Sequence, residues 1–192
     1  MQQQISIRQA TINDAPFIAE IVAMAIGDEK ILKDYCGENP LEVLQAIAAS
    51  PNTQYSYQNT LIATNEKDSA IGAIVSYDGA ELNSLRKATL QIVKEMTGKC
   101  PQIADETEAG EFYIDSLAVL PAYRSKGVAS RLISAVCLKA FAEGHEKVGL
   151  IADLENISAI EFYKNKGFQR VGPKTFFEHE MIHLQISKDL AL

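Results

Sequence analysis

Val119-Leu120-Pro121-Ala122-Tyr123-Arg124-Ser125-Lys126-Gly127-Val128-Ala129 is the stretch on which the fold turns. An apolar run ends at Val119, a proline and small residues make a turn, and helical periodicity begins after Gly127. The first turn of a helix leaves backbone N–H groups unpaired and carries partial positive charge, so phosphates settle there. Gly127 and Ala129 let a phosphate approach the backbone, Arg124 and Lys126 place positive charge beside it, and Ser125, Val128 and Ser130 complete the candidate cradle. The spacing matches neither the nucleotide loop GxxxxGK[ST] nor the dinucleotide pattern GxGxxG. Alone, the stretch is equally a helix start with surface bases.

Outward from this loop, strands and helices alternate. Upstream, Glu111 to Val119 is rich in β-branched and aromatic residues and is predicted as a strand. Downstream come a helix through Phe141, a short buried strand at Val148–Ala152, and a helix at Asn156–Lys166 with Gly167 as its left-handed cap. The tail from Phe176 to Ile186 is expected to form one or two strands. Nearer the start, Ile5–Arg8 alternates as a strand should, and Asn13 is expected to cap a helix carrying Phe17, Ile18, Ile21, Val22, Ala25 and Ile26. A short helix is expected at Leu41–Ala49, then strands at Tyr55–Thr64 and Ala70–Tyr77. Leu82, Leu85, Thr89, Ile92, Val93 and Met96 recur at three and four, which predicts a helix over 80–96 ended by Gly98. The expected architecture is an α/β (α+β), three-layer mixed sheet with helices on both faces, in one domain over 1–192 with a helical insert at about 78–110.

Arg124-Ser125-Lys126-Gly127-Val128-Ala129 resembles the pyrophosphate signature of the GNAT superfamily of N-acetyltransferases: Gln or Arg, two residues, Gly, one residue, then Gly or Ala. Asn156-Ile157-Ser158-Ala159-Ile160-Glu161-Phe162-Tyr163, with Gly167-Phe168 after it, is similar to the family's later helix. The resemblance runs from Glu111 to Phe168, and Ile5–Ala25 with the paired strands fits the remainder; the 78–110 insert does not. It implies a GNAT-like mixed central sheet with two splayed parallel strands, Glu111–Val119 and Val148–Ala152, holding acetyl-CoA as cosubstrate. Backbone at Leu117, Ala118 and Val119 would pair with the pantetheine arm, the 124–130 loop would hold the pyrophosphate, and Asn156 and Ala159 would lie along the cofactor. Acetyl transfer to a primary amine would be direct, with Tyr163 as the general acid for the leaving thiolate. Glu111 and Asp115 share the strand parity of Val119, so either is a candidate base. The family's strand glutamate falls at Tyr113 here. The alternative of another class is a non-catalytic acyl-CoA-binding sensor or scaffold.

A rival pattern is His179-Glu180-Met181-Ile182-His183, the HExxH of zinc proteases. That chemistry requires both histidines on one helical face and a third ligand. The segment reads as strand, so no metal is expected. Cys137 lies on an apolar helix stripe and is expected to be a buried thiol.

Composition narrows the partners. The 192 residues carry a net charge of −7, which argues against a nucleic-acid binder. Yet Ser116 to Ala142 contains Arg124, Lys126, Arg131 and Lys139 and no acidic residue, a local site for an anion. The acidic remainder suits a cationic acceptor, a small-molecule or peptide amine. No apolar run reaches the roughly 20 residues of a membrane span. Met1-Gln2-Gln3-Gln4 has no signal-peptide character, and three scattered cysteines suit a reducing compartment, so a cytoplasmic location is expected. A homodimer is compatible with all of this.

Overall fold

The computed structural model describes residues 4–176 and 179–190, so Phe177 and Glu178 of the predicted tail lie outside the described residues. In chain order the elements are β1 (Ser6–Gln9), α1 (Ala15–Ile26), α2 (Glu29–Cys36), α3 (Pro40–Ala49), β2 (Thr60–Thr64), β3 (Ala70–Asp78), α4 (Leu82–Thr97), β4 (Phe112–Val119), α5 (Val128–Ala142), β5 (Lys147–Asp153), α6 (Ile157–Lys164), β6 (Gln169–Phe176) and β7 (His179–Ser187). The strands form one mixed sheet in the order β1-β2-β3-β4-β5-β7-β6. Only the β4–β5 pair is parallel; the other described pairs are antiparallel.

Alternation along the strands builds a core on each face. On one side Ile74, Ile114 and Val119 pack with Leu132 and Val136 of α5 and Ile160 of α6. On the other, Ala73 and Val75 pack with Ile18 and Val22 of α1 and Leu44 and Ile47 of α3. Beside this second core, Tyr77 and Tyr113 meet Leu82 and Leu85 of α4, with Ile151 of β5 against them. Helices therefore cover both faces, the mixed α/β class expected.

Several local expectations change. Asn13 lies inside a short 3-10 turn, Ile12–Asp14, whose cap is Thr11 with Asp14 closing a capping box. The strand expected from Tyr55 begins only at Thr60, because Tyr57–Asn59 coil into a 3-10 turn capped by Ser56. Helix α2 was not expected; Asp28 caps it by accepting from the amides of Lys30 and Ile31. Along α4 the buried face includes Arg86, while Met96 is 47% exposed.

Strand β4 contains the feature that shapes the site. Val75 lies opposite Ser116 but Ser76 lies opposite Ile114, so Asp115 is an extra, bulged residue. A bulge shifts the face alternation by one and strengthens the local twist. Phe112 and Ile114 face the α5 core before it, and Leu117 and Val119 face that same core after it. Asp115 bonds Tyr77 on the opposite face. The shared parity of Glu111, Asp115 and Val119 expected from the sequence is thus broken between Asp115 and Val119.

Strand β4 pairs with β5 only at Phe112–Val148 and Tyr113–Gly149. Strand β5 instead follows β7 along its whole length, from Lys147–Ser187 to Asp153–Met181. At the point of separation the Glu111 side chain crosses Gly149 to reach β7. A methyl group on Gly149 would collide with Glu111 Oε2. Gly149→Ala is therefore expected to lower the unfolding free energy by about 3 kcal/mol, through overpacking and broken buried hydrogen bonds. The same substitution in a Glu111→Ala background should cost markedly less, a coupling that urea unfolding of the double-mutant cycle measures.

Candidate active site

From Ile114 onward β4 has no strand partner on its β5 side among the described residues, and a gap opens between two strands in the middle of the sheet. The amide of Leu120 donates to Ile71 O, which makes Gly72–Val119 a widely spaced pair and, by alternation, Ile74–Leu117 another. In such pairs the N–H and C=O groups point away from the partner strand. Those of Leu117 and Val119 are therefore turned to the gap, where an amide-bearing ligand could pair with them. Asp115, Leu117 and Ala118 keep partial exposure on this otherwise buried strand.

The loop after β4 has the backbone that an anion cradle needs. Ser125 adopts φ 59° and Gly127 φ 81°, both left-handed. The first bond inside α5 runs from Arg131 N to Gly127 O, so the amides of Val128, Ala129 and Ser130 have no acceptor in their own helix. A Cβ on Gly127 would meet nothing within 4 Å, so the glycine serves the turn rather than packing. Arg124, Ser125 and Lys126 are exposed around this start. Arg124 Nε donates to Val119 O at 3.2 Å, which joins the loop to the lip of the gap. The ammonium of Lys126 lies 5.2 Å from the centre of the Tyr123 ring, and the Tyr123 hydroxyl accepts from Asn65 Nδ2 at 3.0 Å. Of the other two basic residues in the stripe, Arg131 is engaged with Ile5 O.

Helix α6 contributes from the same face. Its Tyr163 is half-buried against the core that holds Leu117, Val119 and Val128. Its ring meets Phe162 and Phe168 edge-on at 5.4 and 5.7 Å. Burial pushes the phenol up to about 12, so it is fully protonated at neutral pH. Asn156 caps α6: its Oδ1 accepts from Ala159 N at 3.1 Å and from the Ser158 hydroxyl at 2.9 Å. The side-chain oxygen of Asn156 and the amide of Ala159 are thus already used by the helix.

The opposite face holds a polar cluster that the sequence did not reveal. Tyr77 Oη donates to Asp115 Oδ2 at 2.8 Å, and the Ser116 hydroxyl donates to Asp115 Oδ1 at 2.9 Å. Glu106, buried after α4, accepts from Gln54 Nε2 at 3.0 Å and is paired with Arg86 Nη2. Arg86 also bonds Asp105 at 2.5 Å. Loss of solvent, and then the charge of Glu106, push Asp115 up to about 7, against the hydrogen bonds from Tyr77 and Ser116. Of the two carboxyls Glu106 holds the counter-charge, so the proton they compete for resides on Asp115.

Glu111 differs. Its Oε1 accepts from Thr107 at 2.6 Å, and its Oε2 accepts from His183 Nε2 at 2.9 Å and Gln185 Nε2 at 2.7 Å. Burial alone would raise this carboxyl, but these bonds hold it below its ordinary range. With its proton-accepting positions filled, Glu111 acts as a tie between strands rather than a free base. His183 and His179 lie on strand β7, not on a helix; His183 is bonded to Glu111 and His179 stands 3.6 Å from Asp153. The zinc-protease arrangement is not formed, and among the described residues no group of three or more His, Cys, Asp and Glu could hold a metal ion. Cys137 is buried, and burial raises its thiol to about 11, which suits a packing role.

Comparison with known proteins gives the family and the fold. The model of the Acetyltransferase (GNAT) family matches residues 54–168. The chain belongs to that family. An N-acetyltransferase from Staphylococcus aureus Mu50 superposes with a TM-score of 0.80 at 26% identity, over 94% of this chain and 100% of that one. A second crystal structure, of an acetyltransferase, gives 0.79 at 27% identity over 95% and 98% of the two chains. GCN5-related N-acetyltransferase 4, chloroplastic, of Arabidopsis thaliana is 35% identical over 66 residues, which are 34% of this chain and span only 23% of that protein.

Folded Asp115 keeps its proton to about pH 7, while the unfolded chain releases it near the ordinary aspartate value of about 3.9. Between these values the native state binds more protons, so this group's contribution to stability declines as pH rises. Asp115→Asn removes that decline. Its stability relative to wild type should therefore climb by about 1–2 kcal/mol between pH 4 and 8, allowing for the residue's partial exposure. Urea unfolding across that range measures it, and a difference falling with pH would contradict the assignment.

Proposed function

We propose that the protein is an acetyl-CoA-dependent N-acetyltransferase that moves an acetyl group directly to a primary amine, of a small molecule or a peptide, within a ternary complex. The carrying observation is the continuity of two binding surfaces: the gap-facing N–H and C=O of Leu117 and the N–H of Val119 lead, past a Val119 C=O that accepts from Arg124, into the open helix start at Gly127–Ser130. The first suits the amide-bearing pantetheine arm. The second, with Arg124 and Lys126 exposed beside it, suits the pyrophosphate. Acetyl-CoA, once bound, supplies the thioester that is attacked.

The chain's own groups then account for the proton traffic. An amine arrives mainly as its ammonium and must lose a proton before attacking. Asp115 is the candidate base: it stands at the bulge just past the last β4–β5 pair, on the Tyr77 side of the strand, and a value near 7 leaves it half ionised at neutral pH. The backbone N–H of Val119, turned into the gap, is suited to stabilise negative charge on the thioester oxygen. The Tyr163 hydroxyl is a protonated donor for the departing thiolate. Helix α4 covers the Tyr77–Tyr113 side of the strands, with Ile151 of β5 against it, and would bound the acceptor. Buried carboxyls there, and an overall charge of −7, favour a cationic acceptor. The unpaired thiols Cys36 and Cys137 fit a cytoplasmic setting.

Free-thiol release from acetyl-CoA against a panel of polyamines, aminoglycosides and N-terminal peptides tests this reading. Tyr163→Phe is expected to lower kcat about 100-fold with little change in the KM for acetyl-CoA. Asp115→Asn should lower kcat/KM for the amine about 100-fold and abolish its rise through pH 7. Arg124→Ala should raise the KM for acetyl-CoA several-fold without altering that pH dependence. Calorimetric binding of coenzyme A without turnover of any panel amine would instead make the chain a sensor of the cofactor.

A further inference from the structure

The Tyr77 hydroxyl stands between two carboxyls, 2.8 Å from Asp115 Oδ2 and 3.3 Å from Glu106 Oε1. Gln54 Nε2 lies 3.2 Å from the same oxygen and donates to it. A phenol has one proton to give. Glu106 has other donors, Gln54 on Oε1 and Arg86 on Oε2, whereas Asp115 has, among the described residues, Tyr77 and Ser116. When Asp115 is ionised, Tyr77 therefore donates to it. When Asp115 carries a proton on Oδ2, that proton points at Tyr77 Oη, and Tyr77 turns its own toward Glu106. One proton is added to Asp115 and one hydroxyl rotates; nothing else changes hands.

We infer that Glu106, which the segment after α4 brings over the sheet, is a positioning residue for Asp115, acting through the single hydroxyl of Tyr77. The inference rests on Asp115 as the base of the proposed reaction. The charge of Glu106 opposes ionisation of Asp115 and accepts the Tyr77 proton when Asp115 is protonated, so both effects favour the protonated state. Other groups around Asp115 do not substitute for it. Tyr35, Tyr55 and Tyr113 are held protonated by burial, and Arg86 is already paired with Glu106 and Asp105. The cluster has its own supports: the backbone N–H of Gln54 donates to the Thr89 hydroxyl of α4 at 2.9 Å, and Thr89 and Arg86 share the buried face of that helix.

Two substitutions, one at the far end of this bridge and one at its centre, should move Asp115 in opposite directions, which a merely structural role would not do. Glu106→Gln removes the opposing charge and should shift the Asp115 titration down by about one pH unit. Tyr77→Phe removes the donor to the ionised form and should shift it up by about half a unit or more. Carboxyl 13C NMR of aspartate- and glutamate-labelled protein, with Asp115 assigned through Asp115→Asn, reads these shifts without any acceptor amine. In wild type, both the Asp115 and the Glu106 resonances should titrate in two steps, a readout that survives should either variant fail to fold. Single-step curves for both, or shifts of the two variants in the same direction, would overturn the inference. If Asp115→Asn keeps full turnover while the NMR shifts occur, the base assignment fails and the coupling stands. If Asp115→Asn abolishes turnover while neither variant moves the titration, the coupling alone fails.

Discussion

The carboxylate of Glu111 lies across the bare backbone of Gly149 and is held there by Thr107, His183 and Gln185. This contact fixes β4 to β5 and β7 at one point and no further. Beyond it the two parallel strands obey different partners: β5 keeps its ladder with β7 to Asp153, and β4 keeps its ladder with β3 to Val119. The bulge at Asp115 adds twist to β4 just where the pairing stops. The gap is thus the outcome of two ladders, one of them bulged at Asp115, that cannot both stay parallel, pinned at their common base by a buried carboxylate. It leaves the gap-facing backbone groups of Leu117 and the N–H of Val119 without a strand partner, a cost that a bound amide chain would offset.

The bulge also divides the chemistry between the faces of one strand. Val119 and Leu117 look toward α5 and α6, where the helix start, Arg124, Lys126 and Tyr163 lie. Asp115 looks toward α4 and the carboxyl cluster. An anionic cofactor and a cationic acceptor would approach from opposite sides of the sheet and meet only through the gap. The charge distribution agrees, since the stretch from Ser116 to Ala142 is purely basic while the protein as a whole is at −7.

What was legible in the sequence was what local backbone chemistry determines. Arg124–Ala129 and the Asn156 and Gly167 caps announce helix ends, and helix ends depend on a few adjacent residues. The apolar stripe of α4 was legible for the same reason, and Gly98 does end it at φ 71°. The bulge was not, because the period-2 rule assumes an unbroken ladder and nothing in Ile114-Asp115-Ser116 marks the extra residue. Arg86 was missed because a charged residue is ordinarily placed on the solvated side of a helix. It is buried here by Glu106 and Asp105, partners 20 and 19 residues further on, in a segment with no periodicity of its own. Gln54 belongs to the same long-range set, 52 residues from Glu106.

Glu111 and Asp115 show how far residue type falls short of residue role. Glu111 immediately precedes β4 and Asp115 lies within it, and both are largely enclosed by protein. Glu111 collects three donors and no opposing charge, and is held below its ordinary range. Asp115 collects two hydroxyls, faces the charge of Glu106 and is pushed to about 7. A saturated carboxylate is a poor proton acceptor but a good structural tie; an undersupplied one is the reverse. The segment following α4 provides Thr107 to the first and Glu106 to the second, adjacent residues acting on opposite outcomes. That segment therefore reaches both the base of the gap and the group proposed to act beside it, so changes there would alter the chemistry of the site without touching the cofactor loop.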